Sequence, residues 1–313
     1  MGFLSKLLHR PKLSVIVIIY DMAREAPRTL KSLSVPYQTG ITVDDYEVIV
    51  VDNGSPQPLG ESVVRACGPN FRYVYIKDAQ KSPAAAINHG VALSRAEVVG
   101  ICIDGARIAS PGLLATALKG FELHTHPVVA TLGWHLGPEL QQKSVLKGYD
   151  QATEDALLES IRWPEDGYRL FDISVLAASS YKGYFAAPSE SNAIFLERRT
   201  FLELGGYDTA FDLPGGGLLN LDFFIRALER HQSPYVMLLG EGTFHQMHGG
   251  ASTGGEPQRD RFQEWAEQYR RIRGKEWRHP ERPALYLGDL PAPASKSLYH
   301  ARDNHRSEIP GAG

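Results

Sequence analysis

The sequence predicts an α/β protein with a Rossmann-like, mostly parallel central sheet flanked by helices. Three observations predict it. Short apolar runs rich in Val and Ile recur through the first third of the chain, stretches with helical spacing separate them, and each run ends on polar or acidic residues. Residues 13–20 (LSVIVIIY) open the series, and β-branched side chains of this kind pack best on a pleated surface. A helical stretch over 26–33 follows, then a second strand over 46–51 that stops at the turn residues Asp52-Asn53-Gly54-Ser55. Residues 60–66 predict a helix and 73–76 a third strand. The Ala-rich stretch 83–95 predicts another helix, and 98–103 a fourth strand ending at Asp104. Strands alternating with helices imply right-handed crossovers and a parallel sheet. Ligands bind such sheets beyond the carboxyl ends of the strands, where Tyr20-Asp21, 52–55 and 104–107 fall.

Beyond residue 120 the rhythm changes. Strands are expected over 128–134, 191–196 and 235–239, and helices over 154–161, 199–204, 219–229 and 259–273. A Gly-rich turn lies at 214–217, and a second Gly-rich loop, 242–250, follows the last strand. The chain divides into an arm (1–12), a first half (13–118), a second half (119–256), a helical extension (257–290) and a Pro/Ala tail (291–313) expected to be disordered.

Composition narrows the function. Lys+Arg 33 against Asp+Glu 36 gives a formal charge of -3, which argues against a nucleic-acid groove, whose phosphate contacts need a cationic surface. Two cysteines exclude a disulfide scaffold and cannot complete a structural zinc site, and Cys102, inside an apolar run, reads as packing. No apolar run approaches the roughly 20 residues of a membrane-crossing helix. The first apolar stretch is interrupted by Ser5 and Lys6, unlike a signal peptide, so a cytoplasmic chain is expected, with the inner membrane face as an option. Residues 3–12 mix Leu and Phe with Lys6, His9, Arg10 and Lys12, which leaves a membrane-surface helix and a frayed polar arm both open. A dinucleotide fold would need glycines after the first strand, where the chain has Tyr20-Asp21-Met22-Ala23-Arg24. A phosphate loop fails at 137–144, where Gln142 stands in the place of the required glycine.

The order of these runs resembles the family-2 glycosyltransferases of the GT-A fold over about residues 13–250. The opening strand with Tyr20 and Arg24, then VIVVDNGS at 48–55, looks like that family's nucleotide-binding start. The resemblance implies that Asp52, with Asn53 beside it, reads the base of a nucleotide-sugar. It also implies that 82–90, with Asn88 and Gly90, packs near the ribose and pyrophosphate. On this basis 13–118 becomes the nucleotide-sugar-binding half and 119–256 the acceptor-binding, catalytic half, the acceptor being a glycan or lipid-linked hydroxyl.

Two motifs match in position and depart in content. The family's D-x-D followed by Pro-Gly corresponds to Asp104-Gly105-Ala106 and Pro111-Gly112, so Ala106 stands where the principal metal-coordinating carboxylate is expected. A hard cation wants oxygen ligands, and dependence on Mn or Mg is therefore doubtful; Asp104, His245 and His248 are left as a partial site, with Arg107 adjoining. The family's E-D-x-D-L-x-x-R corresponds to 219–226, with Asp222 and Arg226 matching and Asn220 in the place of the general base. An inverting transfer needs a base within reach of the acceptor hydroxyl, for which Asp222, Asp212, Glu190 and His248 are candidates. Glu190, Ser191 and Asn192 at the mouth of a strand, and Gly216 in the Gly-rich turn, are expected acceptor contacts. Arg270, Arg271, Arg273 and Lys275 read either as a solvated helix face or as cations for the leaving diphosphate. The activity implied is transfer of a sugar from a nucleotide-sugar to an acceptor hydroxyl in cell-surface polysaccharide or glycolipid assembly. Ala106 and Asn220 keep open a non-catalytic member that only binds nucleotide-sugar or glycan.

Overall fold

The computed structural model describes residues 10–230, 233–248 and 258–295. Its strands are β1 (Leu13–Ile19), β2 (Tyr46–Asp52), β3 (Phe71–Tyr75), β4 (Val98–Cys102), β5 (Arg107–Ala109), β6 (Val128–Leu136), β7 (Ser174–Leu176), β8 (Ile194–Glu197), β9 (Tyr235–His245) and β10 (Leu285–Gly288). The α-helices are α1 (Ala26–Ser32), α2 (Glu61–Arg65), α3 (Ala84–Ala92), α4 (Leu113–Leu123), α5 (Gln141–Leu146), α6 (Gln151–Ile161), α7 (Arg198–Glu203), α8 (Leu219–Glu229), α9 (Gln258–Arg273) and α10 (Ala292–Ser295).

All ten strands join one sheet in the order β10-β9-β6-β8-β4-β1-β2-β3, with β5 on β9 and β7 on β6. Strands β4, β1, β2 and β3 are mutually parallel, as are β6, β9 and β10, and β8 runs antiparallel between β4 and β6. Strands β1 and β2 are buried along their whole length, as expected for a parallel sheet covered on both faces. Their alternation divides them between two cores: Ile16, Ile18, Ile49 and Val51 enter one, and Val15, Val17, Val48 and Val50 enter the other. Helix α3 lies against β1 at Gly90, where an added Cβ would come 2.6 Å from Ile16 Cγ2.

The mostly parallel, helix-flanked sheet is the one the sequence predicts, and the differences lie at short elements. Strands β5, β7 and β10 and helices α4 and α5 were not anticipated. Strand β9 continues past residue 239 to His245, because β6 pairs along it and β5 pairs with its last three residues. The Pro/Ala tail expected to be disordered begins with α10, which buries Ala294. Residues 1–9, 249–250 and 296–313, which hold most of the arm, the end of the Gly-rich loop and the rest of the tail, lie outside the described residues. Among the described residues, no helix is long and apolar enough to cross a membrane.

One buried charge ties the first βαβ units together at the end of the sheet remote from the turns discussed above. Glu47 is fully buried and accepts from Ser14 Oγ at 2.7 Å, Arg95 N at 2.8 Å and Arg95 Nε at 2.9 Å, with Arg72 Nη1 at 3.2 Å. Burial pushes its carboxyl up, but the Ser14 hydroxyl and the Arg95 amide and charge outweigh this and hold it below the usual range. A depressed folded-state value contributes stability above the unfolded value, and that contribution is lost as pH falls through the folded one. Glu47→Gln is therefore expected to cost about 1.5–3 kcal/mol at neutral pH. In urea titrations across pH, the gap from wild type should begin to narrow below the ordinary glutamate value of about 4.3 and close only below the depressed folded-state one.

Candidate active site

The carboxyl end of β4 carries the first functional group. Asp104 follows the strand and accepts from its neighbour's backbone, Ala106 N, at 3.0 Å. Gly105 N donates to Ile18 O at 2.7 Å, and a Cβ on Gly105 would stand 2.4 Å from Ile19 Cγ2 and 2.7 Å from Ile18 O, so only glycine fits against β1 here. Ala106 is fully buried and its carbonyl accepts from Gln246 N at 2.8 Å. The chain then enters β5, whose register sets Arg107 opposite His245 at the end of β9.

This pairing gathers a compact cluster. His245 Nε2 lies 3.0 Å from Asp104 Oδ2 and 3.1 Å from His248 Nε2, and His248 Nε2 lies 3.8 Å from Asp104 Oδ1. Gln141, at the start of α5, donates from Nε2 to His245 O at 2.8 Å, which turns its Oε1 towards His245 Nδ1. That contact places the imidazole proton on Nδ1 and leaves a lone pair on Nε2. Burial, helped by the nearby Arg107 charge, pushes His245 down to about 4 against the pull of Asp104, so the ring is neutral at pH 7. Burial pushes the Asp104 carboxyl up, but His245, His248 and Arg107 outweigh it and hold it well below the usual range. A carboxylate oxygen and an imidazole lone pair thus face each other. The residues fit a divalent cation: ligand atoms of Asp104, His245 and His248 all lie within 4.8 Å of one another. One oxygen and two nitrogens suit Mn²⁺ or a later transition metal better than Mg²⁺.

A second set of contacts fixes the segment bearing His248. Glu154, fully buried on α6, accepts from Met247 N at 2.7 Å, and Arg24 Nη1 donates to Met247 O at 3.3 Å. Gln246 Nε2 reaches Glu25 O at 3.1 Å and Thr29 Oγ1 at 3.2 Å. Arg24 also pairs with Asp155 at 2.6 Å and Glu25 at 2.9 Å. Arg24, an expected donor contact, is part of this brace.

A third group sits at the mouth of β8. Asn220 Nδ2 donates to Glu190 Oε2 at 2.8 Å and to Ser191 O at 3.2 Å, and Tyr207 Oη donates to Asn220 Oδ1 at 3.0 Å. Arg107 draws the carboxyls of both Asp104 and Glu190 downward. Its side chain is 10% exposed, its Nε pairs with Asp104 Oδ2 at 3.4 Å, and its Nη1 is buried without a hydrogen-bond partner among the described residues.

Several expected site residues do other work. Asp52 is fully buried and accepts from Ser55 N (2.9 Å), Leu59 N (3.3 Å) and Tyr73 Oη (2.7 Å), so it shapes the 52–59 loop. Asn53 donates to Gln80 O at 2.9 Å, while Tyr20 beside this loop is 54% exposed. Asn88 clamps Tyr207 N and O at 2.9 and 2.8 Å. Ser191 Oγ donates to Thr131 O at 2.8 Å inside the sheet, Asn192 is buried beside it, and Gly216 is a buried turn residue with φ +85. Asp212 is exposed and takes Gln268 Nε2 at 2.8 Å. Asp222, the matched carboxylate, is fully buried with Arg273 on one oxygen at 2.6 Å, and Arg226 and Arg273 on the other at 2.8 and 2.7 Å. Positions two apart on a helix of about 3.6 residues per turn face nearly opposite sides, so Asn220 turns to β8 while Asp222 turns to α9. Arg273 also pairs with Asp208 at 2.8 Å, and Arg270 with Glu276, so these cations serve α9 itself. Cys102 is buried packing, its thiol pushed up to about 12 by that burial. Gln141, Glu154 and Tyr207 were not anticipated; each is a lone polar residue without a local motif.

A family model described as "Glycosyltransferase like family 2" matches residues 34–239, and the chain belongs to that family. Among solved structures, a mannosyltransferase from Pyrobaculum calidifontis in complex with GDP-Man and Mn2+ is similar with a TM-score of 0.52 at 18% identity, over 93% of this chain and 69% of that one. S. aureus TarS is similar with a TM-score of 0.52 at 14% identity, over 83% of this chain and 43% of that one. TarS 1-349 in complex with UDP-GlcNAc gives 0.52 and 14% over 83% and 66%. These likenesses establish the GT-A fold. No curated protein matches the sequence.

Asp222 binds two arginines without solvent, and removing one member of a buried ion pair costs about 3–5 kcal/mol. Asp222→Asn is expected to lose stability on that scale in chemical denaturation, because it unpairs both Arg226 and Arg273.

Proposed function

We propose that this protein moves a hexose or N-acetylhexosamine from a nucleotide-sugar to an acceptor hydroxyl on a glycan or lipid-linked chain, in cell-surface polysaccharide or glycolipid assembly at the cytoplasmic membrane face. The observation that carries the reading is the Asp104–His245–His248 cluster beside Arg107, at the carboxyl ends of the strands. The mannosyltransferase with GDP-Man and Mn2+ and TarS with UDP-GlcNAc support nucleotide-sugar as the donor class.

Asp104, His245 and His248 would hold a divalent cation, which supplies positive charge to the diphosphate when bound. Arg107, paired with Asp104 at 3.4 Å, would bring a guanidinium to the same charge without a metal, and its planar fork suits phosphate oxygens. The Asp52-shaped loop, with exposed Tyr20 at its edge, would receive the nucleoside. Rate enhancement then comes from holding donor and acceptor in line and from charge stabilisation on the departing diphosphate. Ala106 and Asn220, in place of two carboxylates, motivate the alternative of a member that binds sugar without transferring it. Turnover of a bound donor with acceptor separates the two.

A thermal-shift screen of UDP- and GDP-linked sugars should raise the melting temperature with one donor class, since a ligand bound only by the native state stabilises it. Because Arg107 shares the charge, nucleotide binding should weaken but persist in excess EDTA. Asp104→Asn and His245→Ala should abolish Mn²⁺ binding read by electron paramagnetic resonance. Complete loss of nucleotide binding in EDTA would assign the whole diphosphate site to metal.

Arg107→Met should lower affinity for the nucleoside diphosphate by about 1.5–3 kcal/mol, the worth of hydrogen bonds to a charged group. Affinity for the nucleoside alone, measured by calorimetry, should not change.

A further inference from the structure

We propose that Glu190 takes the acceptor's proton, and that Asn220, at the position where the resemblance places a carboxylate base, holds Glu190 in place for it. The proposal rests on the transfer reading above.

The geometry supplies the argument. Glu190 Oε2 and Ser191 O can only accept, at 2.8 and 3.2 Å, and this settles which way the Asn220 amide points: its nitrogen faces them. Its oxygen then accepts from Tyr207 Oη at 3.0 Å. An aspartate at 220 would set two carboxylates against each other; the amide turns the same position into a donor that orients one. Glu190 Oε1 has no hydrogen-bond partner among the described residues and is not among the buried unsatisfied atoms, so one oxygen is anchored and the other is open. The antiparallel register of β4 and β8, with Ile101 opposite Ile194, brings Glu190 and Asp104 out at the same edge of the sheet, and Arg107 acts on both carboxylates. Burial pushes the Glu190 carboxyl up, against Arg107 and the Asn220 amide, which makes it a stronger base than an exposed carboxylate. The other candidates are occupied: Asp222 by two arginines, Asp212 by Gln268 on the exposed side, and His248 by the cation cluster.

The step balances without a further reactant. The acceptor hydroxyl gives its proton to Glu190 Oε1 as its oxygen lone pair forms the new bond to the anomeric carbon. The bond from that carbon to the diphosphate oxygen breaks, and its electron pair leaves with the nucleoside diphosphate. Glu190 then releases the proton to water. Attack from the side opposite the leaving group inverts the anomeric centre.

The test uses the full chain with Mn²⁺, UDP- and GDP-linked hexoses and N-acetylhexosamines as donors, and octyl glucoside and water as acceptors, reading nucleoside diphosphate release. Glu190→Gln should lower kcat by about 10²–10⁴-fold, the range for loss of a general base, with donor affinity and melting temperature unchanged. Formate should restore part of the turnover of Glu190→Ala, which a structural role would not allow. Asn220→Ala should lower kcat while leaving the donor KM in place. Should Glu190→Gln fail to fold, Glu190→Asp, reduced in kcat only, carries the same test. Donor binding with near-wild-type kcat in Glu190→Gln overturns the proposal and leaves the transfer reading standing. A wild-type chain that binds no donor, and neither UDP nor GDP, overturns both.

Discussion

The contact between Asp104 and His245 is the constraint on which the site depends. Asp104 Oδ2 and His245 Nε2 meet at 3.0 Å where His245 is almost fully buried, and polar groups so far from water must be held in place by the structure around them. The sheet does so by extending β9 until β5 and β6 pair at its tip, setting Arg107 and His135 level with His245. Gln141 fixes the tautomer, and Glu154 with Arg24 fixes the segment bearing His248.

The second half of the chain solves a related problem with hydrogen bonds rather than charge. Helix α8 presents opposite faces to two environments. Its Asn220 face extends a relay from Tyr207 to Glu190, and its Asp222 face fastens α9 through Arg273. Polar networks of this sort rigidify the groups they satisfy. The same helix therefore orients a side chain at the cleft and closes the fold behind it.

Much of the fold was legible in the sequence because parallel strands covered on both faces are continuous apolar runs: 13–20 became Leu13–Ile19, and 46–51 became Tyr46–Asp52. Strands of three or four residues, such as β5, β7 and β10, are too short to carry a period, and pairing creates them. Residues from Gly242 on read as a loop, whereas β9 runs through them because β6 pairs with Gly242 to His245 and β5 with Thr243 to His245. Asp104, His245 and His248 were legible through the family resemblance. The side of α8 was not, since a linear motif gives the spacing of Asn220 and Asp222 but not what packs on each face. Asp52 illustrates the same limit: the turn was evident, but that its carboxylate would be spent on the turn's own amides was not.

The two departures from the family pattern read as a single electrostatic change. Ala106 is fully buried, so a carboxylate held there would add negative charge within the low-dielectric ground already occupied by Asp104. Asn220 likewise removes a charge beside Glu190 and replaces it with a donor. What remains is two carboxylates, two histidines of which His245 is neutral, and one guanidinium that acts on both carboxylates. One positive charge against two carboxylates leaves a net negative charge, where four carboxylates would leave three times as much, and Arg107 Nε already pairs with Asp104 Oδ2 at 3.4 Å.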